Sequence, residues 1–363
     1  MATVTNTLID GLNQQHVEAR VQGIDATQWH FGRYFPVERS IGFNWSTLEN
    51  QVHARNVAAD LHSDNASVIR KSRPIFQSAK GDIPLIAVGR DLDRSQLKDF
   101  QIALNLAKDK DVAKLVKYWG EDIDFCFNAV QAELEYIAWA LFSNAGKLDF
   151  TTANNATFAN EFALDYQVDE KLKVSTTKSF AGEDTDIVTE LRTILEKMED
   201  ELYLNPRFIF MNKKQFRQIA MNEKVIKLCS PELRVATDTT RVPSLKVINE
   251  VLPNVPGFEN IQFRVIDQII TREDANGNFT SGNPFADNRL VITETEKLGH
   301  TAYDILEEPA NNAVLRTVRN HTIVKKYGTI EPVSETTIAQ ADAIPVLDVA
   351  SRSVYVKTDG KSW

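Results

Sequence analysis

The chain has 363 residues, 43% hydrophobic and 25% charged, ordinary for a globular protein and long enough for about two or three domain-sized units. A net charge of −9 and a pI near 5.3 argue against a dedicated nucleic-acid binder, though not against loose enclosure of nucleic acid by an acidic wall. No apolar run reaches the roughly 18–20 residues of a membrane span, no signal peptide opens the chain, and two cysteines, Cys126 and Cys229, suit a reducing cytoplasm.

Residues 1–45 begin with a helical candidate from Leu8 to Val21. Trp29, His30, Phe31, Tyr34, Phe35, Phe43 and Trp45 then crowd a segment broken by Gly32, Pro36 and Gly42. Such an arm cannot bury those rings against itself, so they must pack on the body of the chain or on a neighbour.

Residues 46–95 hold few large apolar side chains. Two extended pieces, residues 67–76 and 82–88, carry Pro74 and Pro84 and are joined through Lys80-Gly81-Asp82. They read as a hairpin with poor internal burial, and a lone two-stranded hairpin is marginal in water. Arg55, Arg70, Lys71, Arg73, Lys80 and Arg90 make the section basic within an acidic chain. A cationic arm on an anionic subunit suits self-association.

After a short helix or extended lead-in at residues 95–106, the longest helical signal runs over residues 111–143. Its apolar positions include Val112, Trp119, Ile123, Phe127, Val130, Leu134, Ile137 and Leu141, steps of three and four along one face. Asp109 or Asp111 can cap its start and Asn144-Ala145-Gly146 can end it. The rod would be roughly 50 Å long. Gly120 costs about 1 kcal/mol and permits a kink.

Beyond a polar loop, residues 162–168 alternate as a strand. Residues 186–203 form an amphipathic helix capped by Asp184 or Thr185, residues 207–211 a buried strand, and Asn212 caps the next helix. This order marks a compact α/β domain. Further strands are expected at residues 263–270, 289–293, 303–307 and 314–318, with a last alternation through Ile344, Val346, Leu347, Val354, Tyr355 and Val356.

The residues carry no recognisable chemistry. His16, His30, His53, His62, His300 and His321 are scattered, with no metal-binding spacing. Asp274-Ala275-Asn276-Gly277-Asn278 starts like a calcium loop, but its glycine comes too early and no glutamate closes it, so an Asn-Gly turn is the better reading. No nucleophile elbow, phosphate loop or dinucleotide fingerprint is present. The expectation is no catalytic residue, no metal, no cofactor and no enzyme.

Three stretches resemble the major capsid proteins of tailed bacteriophages, of the Hong Kong 97 fold and in particular the lambda-type major capsid protein E family. They are Ala58-Ala59-Asp60 with Lys71-Ser72-Arg73-Pro74 and Gly81-Asp82-Ile83-Pro84, then Val324-Lys325-Lys326-Tyr327-Gly328-Thr329-Ile330, and last Ala343-Ile344-Pro345-Val346-Leu347-Asp348 with Val354-Tyr355-Val356. The resemblance implies an α+β fold with an N-terminal arm (1–45), an extended β-hairpin loop (46–95), a peripheral domain (96–155 and 301–363) built on the spine helix, and an axial α/β domain (156–300).

It implies a subunit that forms hexamers and pentamers and closes into an icosahedral head around double-stranded DNA, which it would enclose without specific binding. The virion would be its location and the host cytoplasm its place of assembly, with no membrane involved. A separate scaffolding protein is expected, since the chain begins directly with the arm, and a portal and a decoration protein are further partners. Arg70, Lys71, Arg73, Lys80, Trp29, Phe31 and Phe35 are the expected inter-subunit contacts. Some relatives weld their shells by an isopeptide bond; Lys71 and Lys80 are available for one, but no buried carboxylate can be identified. The rival readings are an encapsulin-like compartment, which encloses protein instead of DNA, and a two-domain cytoplasmic enzyme.

Overall fold

The spine helix spans Val112–Ser143, 32 residues, and runs unbroken through Gly120. That glycine serves a close approach: a Cβ there would stand 3.2 Å from Arg20 Nε. Arg20 lies along the helix and pairs with Asp124, its Nε donating at 2.8 Å. The computed structural model describes residues 4–50, 76–106, 112–150, 162–182, 184–230, 242–273, 277–309 and 311–363. Two units emerge, one of Met1–Trp45, Gly81–Ala138 and Gly299–Val346, the other of Ser46–Lys80, Trp139–Leu298 and Leu347–Trp363.

In the first unit Ile123, Cys126, Phe127, Val130, Leu134, Ile137 and Ala138 of the spine helix are buried. Each large apolar side chain so removed from water contributes about 1.5–3 kcal/mol. The sheet of this unit centres on Val333–Leu347, a strand of 15 residues. It pairs antiparallel with Thr322–Ile330 and with Leu85–Leu92. Gly299–Asp304 also joins it, with Val37–Arg39 alongside in parallel. Thr337, Ala339, Ala341 and Ala343, alternate residues of the long strand, face the core.

Lys80-Gly81-Asp82 is not the link between strands that the sequence suggests, and residues 67–75 of the first expected strand lie outside the described residues. Lys80, Gly81 and Asp82 lie inside the strand Phe76–Asp82, which pairs with Asn44–Asn50. Pro84 breaks the chain there, having no N–H to extend a ladder, while buried Ile83 donates its N–H to Phe43 O at 2.8 Å. Leu85–Leu92 then finds its partner about 250 residues downstream, on Val333–Leu347. Arg70, Lys71 and Arg73 lie outside the described residues.

The second unit is the α/β module. Its sheet has the order Gln262–Ile266, Phe208–Asn212, Arg289–Thr293, Ser353–Lys357, Lys173–Ser175. Around Phe210 the rings of Trp139 and Phe142 close a core, Phe142 meeting Phe210 edge-on at 5.4 Å. The helix Ile187–Asp200 starts one or two residues later than expected, capped by Asp186, which accepts from Thr189 N at 3.2 Å. Asn212 caps Lys213–Ala220, accepting from Gln215 N at 2.8 Å. Ile270–Glu273 and Phe279–Gly282 pair antiparallel, with Glu273 opposite Phe279; Asn276 of the expected Asn-Gly turn lies outside the described residues.

Two stretches expected in the peripheral domain, residues 139–150 and 347–363, fall in the second unit. The later stretch does so because Ser353–Lys357 is an interior strand of that unit's sheet.

Candidate assembly surfaces

The arm is docked on its own chain. A polar stripe of the spine helix holds it: Asp124 takes Arg20, and Asn128 Oδ1 accepts from Gln28 Nε2 at 2.9 Å and Trp29 Nε1 at 3.0 Å. Glu135, fully buried, accepts from Phe31 N at 2.8 Å. Asp124, Asn128 and Glu135 fall at helical spacing on one side. Sequence reading missed them because polar residues on a long helix ordinarily face water.

Phe31 and Phe35 were expected to reach a neighbour, and the structure corrects this: they are 3% and 0% exposed within the single chain. Phe35 fits because Gly299 stands opposite, where a Cβ would come 3.1 Å from the Phe35 ring and 1.9 Å from Val346 O. Trp29 remains half-buried, and Lys80 is exposed on its strand. The arm still presents Ile41 and Phe43 to solvent, Ile41 entirely.

A buried charge cluster supports the N-terminal end of the arm. Lys326 Nζ and Glu335 Oε1 lie 3.8 Å apart with neither side chain exposed, and Lys326 Nζ donates to Thr337 Oγ1 at 2.8 Å. The glutamate is completed by residues at the chain's start: Thr7 Oγ1 donates to Oε1 at 2.7 Å and Leu8 N to Oε2 at 2.8 Å. Val4 and Thr5 pair with Thr329 and Gly328, and a Cβ on Gly328 would stand 2.7 Å from Leu8 Cγ.

Burial pulls the Lys326 ammonium below the ordinary lysine range, opposed by the Glu335 and Asp122 carboxylates. Burial likewise raises Asp122 and pushes the Cys126 thiol up to about 11, so that sulfur is protonated and unreactive at neutral pH. Among the described residues two carboxylates, Glu135 and Glu335, are fully buried, and both are engaged within the chain: Glu135 by Phe31 N, and Glu335 by Lys326, Thr7 and Leu8. Among the described residues no group of histidine, cysteine and acidic side chains could hold a metal, and no helix is long and apolar enough to cross a membrane.

No family model and no curated protein matches the sequence. Solved structures do. A prophage protein from Escherichia coli, provisionally described as a capsid protein, matches with a TM-score of 0.57 and 14% identity over 95% of this chain and 99% of that one. A phage-related protein from Bordetella bronchiseptica matches with a TM-score of 0.55 and 11% identity over 99% of each chain. Such coverage at such low identity speaks to architecture: the chain has the phage capsid fold, of the Hong Kong 97 type that its sequence resembles.

Proposed function

We propose that this chain is a major capsid protein, which assembles as hexamers and pentamers into an icosahedral phage head around double-stranded DNA. The observation that carries the reading is the correspondence along nearly the whole chain with a prophage protein described as a capsid protein. Assembly is the work of this fold as a whole, so the role is structural rather than catalytic. The acidic balance of the chain fits a wall that encloses DNA without holding it. A separate scaffolding protein, a portal and a decoration protein are its expected partners. Assembly would take place in the host cytoplasm, and the virion is the final location.

Arg70, Lys71, Arg73 and Lys80 of the loop, with Trp29 of the arm, are the proposed cross-subunit contacts. Many modest contacts of this kind add up once a shell closes. Negative-stain microscopy of the purified protein, wild type beside a variant with Arg70, Lys71 and Arg73 all reversed to Glu, tests both claims. Wild type should form closed shells and the variant should stay as folded small oligomers. Absence of shells from wild type, alone and with its scaffold, would overturn the reading; shells filled with protein and free of DNA would favour a compartment instead.

A further inference from the structure

The helix Arg94–Leu106 buries Leu97 and Phe100 and turns Arg94, Lys98 and Gln101 outward, positions four and three residues apart on one face. Together with Leu8 of the arm and Val333 of the long strand they line a groove of about 790 Å³. Its lining is Leu8, Leu97 and Val333 on the apolar side, Arg94, Lys98, Ser95 and Gln101 on the polar side, with no carboxylate. Asp93 and Asp99 each adjoin one of these cations in sequence but neither lines the groove, and Asp93 is occupied in capping the helix, accepting from Ser95 Oγ at 2.7 Å and Gln96 N at 2.9 Å. Arg94 and Lys98 take part in no ion pair among the described residues. In a chain with 50 acidic and 41 basic residues, two such cations side by side over an apolar floor are a local inversion of charge.

The apolar floor also continues outward. Val333 is 42% exposed and its ladder partner Ile330, on the same face, 53%. A strip of exposed aliphatic side chains leading into a cationic groove marks an interaction surface, apolar at its centre and charged at one rim.

We infer that this groove seats an acidic stretch of a second copy of the chain, its carboxylates on Arg94 and Lys98 and an apolar side chain against Leu8, Leu97 and Val333. Charge complementarity selects the occupant, since any other copy approaches with a net charge of −9. The inference rests on the capsid reading, which supplies copies at edge-to-edge distance.

The test compares wild type, an Arg94→Glu/Lys98→Glu double variant, a Val333→Asp variant and a Lys98→Arg control. All positions are exposed, so circular dichroism and thermal melting should match wild type. The protein concentration at which shells appear should rise at least about tenfold in the double variant and in Val333→Asp, and stay put in Lys98→Arg. Shells at the wild-type threshold from both the double variant and Val333→Asp overturn the inference while leaving the capsid reading intact. So does normal self-assembly of the double variant accompanied by loss of a co-expressed scaffolding protein, which would make that protein the occupant. Failure of wild type to form shells removes both claims together.

Discussion

Lys326 and Glu335 face each other across adjacent strands, 3.8 Å apart and wholly shielded from solvent, and what shields them is the chain's own beginning. Thr7 and Leu8 lie over the carboxylate and satisfy both of its oxygens. The pair ties the far N-terminal end of the arm to the central strand of the sheet. It also makes the arm's position depend on one side chain.

Removing one partner should therefore cost more than removing both. Glu335→Ala deprives the buried ammonium of its ion-pair partner and takes away the acceptor for two donors, with an expected loss of about 3–5 kcal/mol in urea denaturation. The Lys326→Met/Glu335→Gln double variant keeps volume and an acceptor while discarding both charges, and should recover most of that loss. A cost below about 1 kcal/mol for Glu335→Ala would mean that water already reaches the pair.

His321 predicts an acid limb in the stability curve. Burial lowers its pKa from 6.5 to about 4, so the folded protein holds the ring neutral while the unfolded chain takes up a proton. Folded binds fewer protons than unfolded between those values, and stability must fall as pH drops from 6.5 towards 4. The gap corresponds to roughly 3 kcal/mol at its fullest extent. His321→Gln, which can still meet Gln131, the partner of the ring at 3.2 Å, should flatten this limb in pH-dependent melts. An unchanged slope would assign the acid sensitivity to other groups.

Asn249 closes the outer edge of the second unit's sheet. Its Oδ1 accepts from Phe263 N at 2.7 Å and its Nδ2 donates to Phe263 O at 3.1 Å, as a further strand would. Asn249→Ala should cost about 1–3 kcal/mol and leave a strand edge open to unwanted pairing. Melting temperature and light scattering would report the two effects, and Asn249→Asp, able only to accept, should fall between alanine and wild type. A variant as stable and as soluble as wild type would show that water serves that edge equally well.

Local periodicity carried much of the architecture. Steps of three and four place the spine helix within a residue of Val112–Ser143, and alternation places the strand Arg289–Thr293 at its observed bounds. Asn212 is legible as a cap because a short acceptor side chain before an amphipathic run has one good use. The central strand Val333–Leu347 was legible only at its end, since its inward residues are Thr and Ala, which give a weak apolar alternation. The groove at Arg94 and Lys98 was not legible at all: Leu8, Leu97 and Val333 are brought together from three distant parts of the chain.

By itself, then, the sequence determined the elements whose evidence repeats every two or three to four residues, the absence of recognisable catalytic motifs, and the order of segments that resembles a capsid protein. Tertiary structure decided the pairings. It placed Phe31 and Phe35 inside the chain's own core, gave Leu85–Leu92 a partner near the far end of the chain, and set Ser353–Lys357 into the second unit's sheet. The physical reason is range: a helix or strand is specified by neighbours along the backbone, whereas the surface each one covers depends on residues hundreds of positions away, whose complementarity appears only when the chain has folded.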